Sequence, residues 1–292
     1  MEMKDLRKQI GIGLVLLVVM LFQACGGAED DSSEQDGALV PEVEEKVAWG
    51  EDELREDEAR ELPDMAEFDR DAKEWGEQVS GVKTRINTSE QKIALTFDAC
   101  GGPYGNGYDA ALISYLREAD VPATLFINER WIIEHETLFL ELANDPLFQI
   151  ENHGTEHIPL SVNGGTAWGI AATESPEEVV QEVLGNHDTV KHLTGKEMNL
   201  FRSGTAFYDE VAVELVQALG YQVVNFDVLG DAGATYSSEQ VERALLGSES
   251  GSIALLHMNQ PTSGTAAGVK AAVPKLREQG YQFVRLDGEE LE

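Results

Sequence analysis

One repeated pattern governs the chain beyond Gln91 and limits what it can fold into. A short apolar run rich in β-forming residues is followed by a polar or glycine-rich turn and then by a longer amphipathic segment. This alternation is typical of α/β domains that contain a parallel sheet. The predicted strands are residues 93–97, 123–127, 148–152, 200–202, 222–226, 252–257 and 282–286.

Helical periodicity between these strands predicts six helices, two of which have clear start signals. Ser175 and Ser237 both stand in N-cap positions, each followed by acidic residues. Right-handed crossovers between parallel strands produce either an open doubly wound sheet or a barrel, and the pattern alone does not choose between them. The predicted helices are residues 109–119, 131–143, 176–193, 209–219, 238–247 and 268–279.

The N-terminus has the organisation of an export signal, with basic residues, an apolar run over 10–22 and small residues over 24–27. The apolar run is shorter than the roughly 18 residues that a spanning helix needs. The pentapeptide ending at Cys25 resembles a bacterial lipobox. We therefore expect residues 1–24 to be a lipoprotein signal peptide and Cys25 to carry the lipid, which places the protein in the cell envelope; a plain secretory signal is the alternative.

Acidic residues dominate the segment 25–80, which we expect to be an extended tether with a helix over 63–79. The domain then spans 81–292, a length that fits one barrel. A net charge of -33 excludes nucleic acid as a partner, because phosphates would be repelled. No glycine-rich phosphate loop follows a strand, so nucleotide binding is not expected either. We expect a monomer.

Polar and ionisable side chains follow nearly every predicted strand. Because the carboxyl ends of parallel strands face one functional crevice, we expect these side chains to converge although they are far apart in sequence. They are Asp98, Asn128, His153, His157, Arg202, Asp227, Asp231 and His257.

His153 and His157 are four residues apart, and a helical turn after the strand would point both imidazoles at one divalent metal. Capping or surface histidines are the alternative. Asp98 ends an apolar strand, where its charge needs a metal or Arg202 as partner, unless it caps the next turn. His257 ends another apolar strand and is suited to donating a proton, although a core histidine is the simpler interpretation of that residue alone.

Taken together, residues 93–286 resemble the NodB-homology polysaccharide deacetylases, a carbohydrate esterase group that acts on N-acetylated glycans. The resemblance rests on five motifs in the family's order, each at a predicted strand end, and on the strand over 121–126. The five are Thr96-Phe97-Asp98-Ala99-Cys100, His153-Gly154-Thr155-Glu156-His157, Phe201-Arg202, Asp231 and Leu255-Leu256-His257.

This resemblance implies a distorted (β/α)7 barrel and a metal-dependent hydrolase that removes N-acetyl groups from an amino-sugar polysaccharide. Zinc is the expected metal, with cobalt or another divalent ion possible. The implied metal ligands are Asp98, His153 and His157, and the implied catalytic residues are Asp98, Arg202, Asp231 and His257. A polysaccharide O-acetyl esterase and a catalytically silent glycan-binding lipoprotein are the alternatives.

The chain departs from the family pattern at two places. Ala99 stands where the family has its second Asp, the usual metal ligand, and Cys100 stands where it has Gly. Asp98 on the metal is the favoured solution; Asp109 or Cys100 as the third ligand and a weak site remain open. Arg202 is not followed by the usual Pro and aromatic residue, which leaves substrate preference open.

Two aromatic residues are candidate sugar-stacking groups. Tyr108 and Trp168 lie in loops expected near the crevice, and either ring could stack on a sugar face or pack beneath its loop.

Overall fold

The structure is a computed structural model that describes residues 61–292. The predicted signal peptide, Cys25 and the first part of the tether lie outside the described residues. Ten strands and eight α-helices alternate along the described part of the chain. They are β1 (Lys92–Ala99), α1 (Gly102–Gly105), α2 (Ala110–Glu118), β2 (Ala123–Ile127), α3 (Glu129–Glu134), α4 (Glu136–Ala143), β3 (Phe148–Asn152), β4 (Thr166–Ala167), β5 (Ile170–Ala171), α5 (Pro176–Thr194), β6 (Leu200–Phe201), α6 (Glu210–Ala218), β7 (Gln222–Val223), β8 (Val228–Leu229), α7 (Ser238–Leu246), β9 (Ser252–His257), α8 (Thr265–Glu278) and β10 (Gln282–Val284).

Eight of the strands form one parallel sheet in the order β7-β6-β3-β2-β1-β9-β8. The last strand, β10, pairs with the first half of β1, while β2 pairs with its second half. Within residues 61–292 no ladder joins β7 to β8, so the sheet curls into an incomplete barrel. The predicted α/β class and distorted barrel are confirmed.

An extended segment before β1 lies across this gap. Lys83 bridges Val224, and Arg85 bridges Ser252 at the start of β9. The backbone N–H of Lys83 donates to Val223 O at 2.8 Å, and Arg85 forms an ion pair with Asp227. The gap between the sheet's ends is therefore bridged by backbone pairing rather than by another strand.

The predicted N-terminal helix over 63–79 is wrong. Only a three-residue 3-10 helix forms, at Met65–Glu67. Backbone N–H groups that a helix would have used internally bond elsewhere: those of Lys73 and Glu74 donate to the Glu210 carboxylate at 2.7 and 2.8 Å. Phe68 and Val79 are buried against the barrel, so this part of the predicted tether packs as part of the folded unit.

Other elements also differ from the predicted ones. The helix expected over 131–143 is two helices, α3 and α4, divided at His135, whose φ of -131 is not helical and whose ring Nε2 lies 2.8 Å from Asn106 O. Strand β8 was not predicted, because two residues are too few to give a recognisable apolar run. The caps expected at Ser175 and Ser237 are confirmed, the second with a full capping box.

Alternation along β1 divides the core into two layers. Ile93, Leu95, Phe97 and Ala99 belong to the larger cluster between sheet and helices, whereas Ala94 belongs to the cluster inside the barrel. Thr96 and Asp98 share the inner face with Ala94, because side chains two apart point the same way. Asp98 thus lies on the inner face at the carboxyl end of the central strand.

Among the helices within residues 61–292, none combines the length and apolar character needed to cross a bilayer.

Candidate active site

Strand register brings the predicted site residues together. Asp98 on β1 pairs directly with His257 on β9. On the other side of the barrel Asn152 pairs with Phe201, so His153 and Arg202 each stand one residue beyond a paired position. The expected convergence at the carboxyl ends of the strands is therefore observed for these four residues.

Arg202 is fully buried and every part of its guanidinium is engaged. Its Nη1 donates to Asp98 Oδ1 at 2.8 Å and to Thr96 Oγ1 at 2.9 Å. Its Nε and Nη2 donate to the carbonyl oxygens of Val224 and Asn225 at 3.1 and 3.0 Å. Such a forked set of bonds fixes the Asp98 carboxylate in position and supplies the partner that its buried charge requires.

The His153 ring is oriented by a backbone carbonyl. Its Nδ1 lies 2.9 Å from Arg202 O, and since a carbonyl only accepts, Nδ1 carries the hydrogen. In the neutral ring Nε2 then keeps its lone pair. That atom lies 3.6 Å from Asp98 Oδ2 and 3.9 Å from Cys100 Sγ, which is the orientation of a metal-ligating imidazole.

His157 reaches the same place without the helical turn that was predicted. Its φ is 61, in the left-handed region, so the loop after β3 is not helical. The imidazoles of His153 and His157 are nevertheless neighbours, with ring centroids 4.9 Å apart and edge-to-face. His157 Nε2 is buried and has no hydrogen-bond partner among the described residues.

Glu182 on α5 holds this loop, and sequence reasoning missed it. Its carboxylate accepts the backbone N–H of Glu156 at 2.8 Å and of His157 at 3.0 Å. Burial raises the pKa of Glu182 to about 7, although these N–H donors lower it. The sequence did carry one signal for this role: Glu182 lies on the buried face of a long amphipathic helix, where an acidic side chain needs hydrogen-bond donors.

Three side chains offer ligand atoms that lie within 4.8 Å of one another: Cys100, His153 and His157. Burial raises the pKa of the Cys100 thiol, but the neighbouring imidazoles outweigh it and hold that pKa well below its ordinary value. Asp109 is not part of this group: its Oδ1 caps α2 by accepting from Leu112 N at 3.0 Å, and its Oδ2 is buried without a partner among the described residues. One sulfur and two imidazole nitrogens, one of them orphaned, are a donor set that fits a divalent metal.

His257 is bound to Asp231 by two hydrogen bonds. His257 Nδ1 lies 2.8 Å from Asp231 Oδ1, and the backbone N–H of His257 donates to Oδ2 at 2.7 Å. The Thr265 hydroxyl also donates to Oδ2, at 2.9 Å, a contact that no sequence motif indicated. Burial lowers the pKa of His257, but the Asp231 carboxylate outweighs this and holds the pKa well above its ordinary value.

A cavity of about 600 Å³ opens beside Asp98 and His257 at the barrel mouth. Its wall is largely apolar, with Trp168 among the lining residues; that ring is 77% exposed and packs edge-to-face on Phe207 at 5.8 Å. Thr205 also lines the cavity, and its buried hydroxyl has no partner within residues 61–292. Size and composition suit a sugar unit with an attached acetyl group.

Two of the predicted residues that do not line this cavity, Tyr108 and Asp227, have other contacts. Tyr108 packs on Trp131, with ring centroids 6.3 Å apart. The Asp227 carboxylate contacts Arg85 and Ser252 at the opposite end of β9 from His257. The sequence predicted Asp227 directly after a strand over 222–226 and therefore near the site. This prediction is wrong, because β7 already ends at Val223 and Asp227 stands just before β8.

Comparison with known proteins finds similar sequences and similar folds. Residues 85–224 match the sequence profile of the polysaccharide deacetylase family. The peptidoglycan-N-acetylmuramic acid deacetylase PdaA of Bacillus subtilis is 25% identical over 209 residues, covering 69% of this chain and 72% of that protein. The peptidoglycan-N-acetylglucosamine deacetylase PgdA of Listeria monocytogenes is 26% identical over 208 residues, covering 70% and 40%.

Solved structures share the fold. That of Bacillus subtilis PdaA, a family 4 carbohydrate esterase, has a TM-score of 0.60 at 24% identity and covers 71% of this chain and 83% of that one. A family 4 pseudoenzyme from Bacillus anthracis has a TM-score of 0.59 at 20% identity, covering 70% and 66%.

Proposed function

We propose that the chain contains a polysaccharide deacetylase domain and is a metal-dependent hydrolase that removes N-acetyl groups from a cell-wall amino-sugar polysaccharide. The observation that carries this proposal is a cavity lined by a clamped carboxylate, Asp98, and an Asp-bound histidine, His257, with a histidine pair beside that carboxylate. Asp98, His153 and His257 come from three different strands, and the fold alone would not require all three there.

A divalent metal would be held by His153 and His157 with a third ligand beside them, either Asp98 or Cys100. Bound there, it would act as a Lewis acid on the acetyl carbonyl and make an attacking water more acidic. Zinc is the metal that we propose, because imidazole ligands and an open position are typical of catalytic zinc sites.

The protein's own groups would handle the protons. Asp98, fixed by Arg202, takes a proton from the water whose oxygen attacks the acetyl carbon. His257, bound through Nδ1 to Asp231, gives a proton through Nε2 to the nitrogen as the C–N bond breaks, so that acetate and a free amine leave. Asp98 and His257 are paired on adjacent strands and both line the cavity, which supports this division of roles between base and acid.

Acetate release tests this activity. Peptidoglycan glycan strands and N-acetylglucosamine oligomers are incubated with the full chain, and acetate is measured enzymatically. We expect release that a chelator abolishes and that zinc or cobalt restores. Undiminished release after complete metal removal would contradict a metal-dependent mechanism, and acetylated xylan assayed in parallel separates N- from O-deacetylation.

A second candidate is a catalytically silent glycan-binding protein. The observation that favours it is Ala99, which removes the family's second Asp. Saturable glycan binding with no acetate release from metal-loaded protein would support this candidate, whereas turnover would exclude it.

We also propose that the protein is attached to the envelope through lipid on Cys25, acting outside the cytoplasm as a monomer. The lipobox-like pentapeptide supports the anchor. Labelling of growing cells with a fatty-acid analogue should mark the wild-type chain and leave Cys25→Ser unmarked and released from the membrane fraction. Equal membrane retention of both would contradict the anchor, and sedimentation of the C25S chain reports its oligomeric state.

A further inference from the structure

The departure from the family motif at positions 99 and 100 is resolved by which way the side chains point. Ala99 is fully buried in the cluster between sheet and helices, whereas Asp98 faces the barrel interior. Two-residue alternation then returns Cys100 to the side of Asp98. Its Sγ accordingly lies near the histidine pair rather than under the helices.

Distances around Cys100 fit a single small cation. A tetrahedral zinc ion with one thiolate and one imidazole ligand holds sulfur and nitrogen about 3.5 Å apart. Cys100 Sγ is 3.9 Å from His153 Nε2, and the ligand atoms of Cys100, His153 and His157 all lie within 4.8 Å of one another. The Cys100–His153 separation thus exceeds the tetrahedral value by only a few tenths of an ångström.

Asp98 does not belong to this group of ligand atoms. Its Oδ1 accepts from Arg202 Nη1, and its Oδ2 is 3.6 Å from His153 Nε2. We infer that Cys100 supplies the third protein ligand of the metal site, with His153 and His157, and that Asp98 serves as the base. This inference deepens the proposed function and rests on it.

The ligand set has a consequence for metal choice. A thiolate is a soft ligand, which favours zinc and cobalt over magnesium, calcium and manganese. Cys100 thus takes the part of the missing carboxylate while keeping the single negative charge that the site needs beside two neutral imidazoles.

Cobalt spectroscopy tests the inference without relying on turnover. The sequence contains two cysteines, Cys25 and Cys100, so the full chain carrying Cys25→Ser has Cys100 as its sole thiol. Loaded with one equivalent of Co²⁺, this protein should show a thiolate-to-cobalt charge-transfer band in the near ultraviolet. Zinc affinity is measured in parallel by competition with a chromophoric chelator.

Three further substitutions in this C25S chain sharpen the test. Cys100→Ser should abolish the band and weaken zinc binding by about 100-fold or more, since even partners of a ligand are worth 10- to 100-fold. Cys100→Asp should also lack the band but recover most of the affinity, because a carboxylate can take the same position. Asp98→Asn should keep both the band and the affinity while losing acetate release.

The outcomes separate this inference from the proposed function. If the charge-transfer band survives in the C100S chain, or is already absent from the C25S chain, Cys100 is not a ligand, even if the protein releases acetate. If the band depends on Cys100 but the protein releases no acetate from any glycan, Cys100 is a ligand and the proposed deacetylase activity is wrong. Loss of metal affinity in the D98N chain to the level of C100S would return Asp98 to the metal and contradict the inference.

Discussion

Asp231 is a buried carboxylate with four hydrogen-bond donors within reach, and two of them belong to His257. It lies outside the cavity lining, so it acts through His257 and is a positioning residue. Its charge favours the imidazolium form and its geometry aims the ring.

Replacing Asp231 with Asn should therefore lower kcat by about 100-fold or more, with little change in KM, because general acid catalysis is typically worth that much. Steady-state acetate release measures both constants. Thr265→Val, which removes only the hydroxyl donor to Asp231, is the matched control and should cost much less. A kcat within about twofold of wild type for D231N would contradict the positioning role.

Thr205 lines the cavity, and its buried hydroxyl has no partner in the described chain. If a bound glycan supplies that partner, Thr205→Val should raise KM by about 5- to 10-fold, near 1 kcal/mol for one hydrogen bond. The free energy of unfolding should stay equal or rise, because an unsatisfied buried group is removed. Thr205→Ser keeps the hydroxyl and should restore KM; an unchanged KM in T205V would show that the hydroxyl is not used.

Tyr208 is fully buried, and burial raises its pKa to about 12, although the Ser203 N–H lowers it. The folded state therefore keeps this proton while the unfolded chain loses it near pH 10. Stability from this group is present below pH 10 and is lost as pH rises towards 12, on the order of 2–3 kcal/mol.

Chemical unfolding from pH 9 to 12 measures the effect. Tyr208→Phe should be less stable at neutral pH, because Ser203 N loses its acceptor at 2.8 Å, but should show a smaller alkaline decline. An identical decline in both proteins would assign it to other groups.

At the scale of elements, the segment 61–80 behaves as part of the barrel. Phe68 and Val79 are buried, and Glu77 lines the cavity. A chain beginning at residue 81 should be less stable than one beginning at 61 by about 3–5 kcal/mol, since two large apolar side chains lose their burial. It should also deacetylate more slowly, because one wall of the cavity is removed.

Denaturant unfolding of the two truncated chains checks this prediction. Phe68→Ala in the longer chain separates packing from cavity lining, since it should reproduce most of the stability loss and little of the kinetic loss. Equal stability of the two truncations would mean that the segment is only a tether.

The elements that the sequence predicted correctly are those determined by interactions close along the chain. Strands 123–127 and 252–257 were predicted with the observed bounds, because their largely apolar runs are buried on both faces. Strand 148–152 also has the predicted bounds, although it alternates apolar and polar residues. The helix over 63–79 failed because Glu210, far along the chain, bonds the backbone N–H groups that the helix would have used.

The site shows the same contrast between features set by the local sequence and features set by distant contacts. The predicted convergence of Asp98, His153, Arg202 and His257 needed only the sequence and the sheet topology, because each residue stands at or just beyond the carboxyl end of a strand. Alternation along β1 directs the Cys100 side chain inward, towards the side of Asp98. Cys100 as the third metal ligand was one of the alternatives that the sequence left open. Glu182 and Thr265 act through tertiary contacts to loops, for which the sequence carries no periodic signal.

Charge is the property of the whole molecule with the clearest physical consequence. A net charge of -33 makes the folded chain repel itself. Raising ionic strength from about 0.01 to 0.15 M shortens the screening length from about 30 to 8 Å. We expect the melting temperature to rise by about 2–4 °C, equivalent to roughly 1 kcal/mol for a domain of this size.

Calorimetric scans in NaCl and KCl measure this shift. The two salts should give the same rise, because screening depends on ionic strength and not on the cation. A flat response, or a rise with only one salt, would contradict self-repulsion as the cause.

The ends of the barrel domain meet on the side away from the cavity. Thr84 N donates to Glu292 O at 2.8 Å, and Ile86 bridges Leu291, next to the start of β9. His257, at the cavity, stands at the other end of that strand. A purification handle or a coupling group added after Glu292 therefore emerges from the end of the barrel opposite the cavity. Molecules fixed to a bead through this group present the cavity to a polymer that is too large to diffuse into the bead.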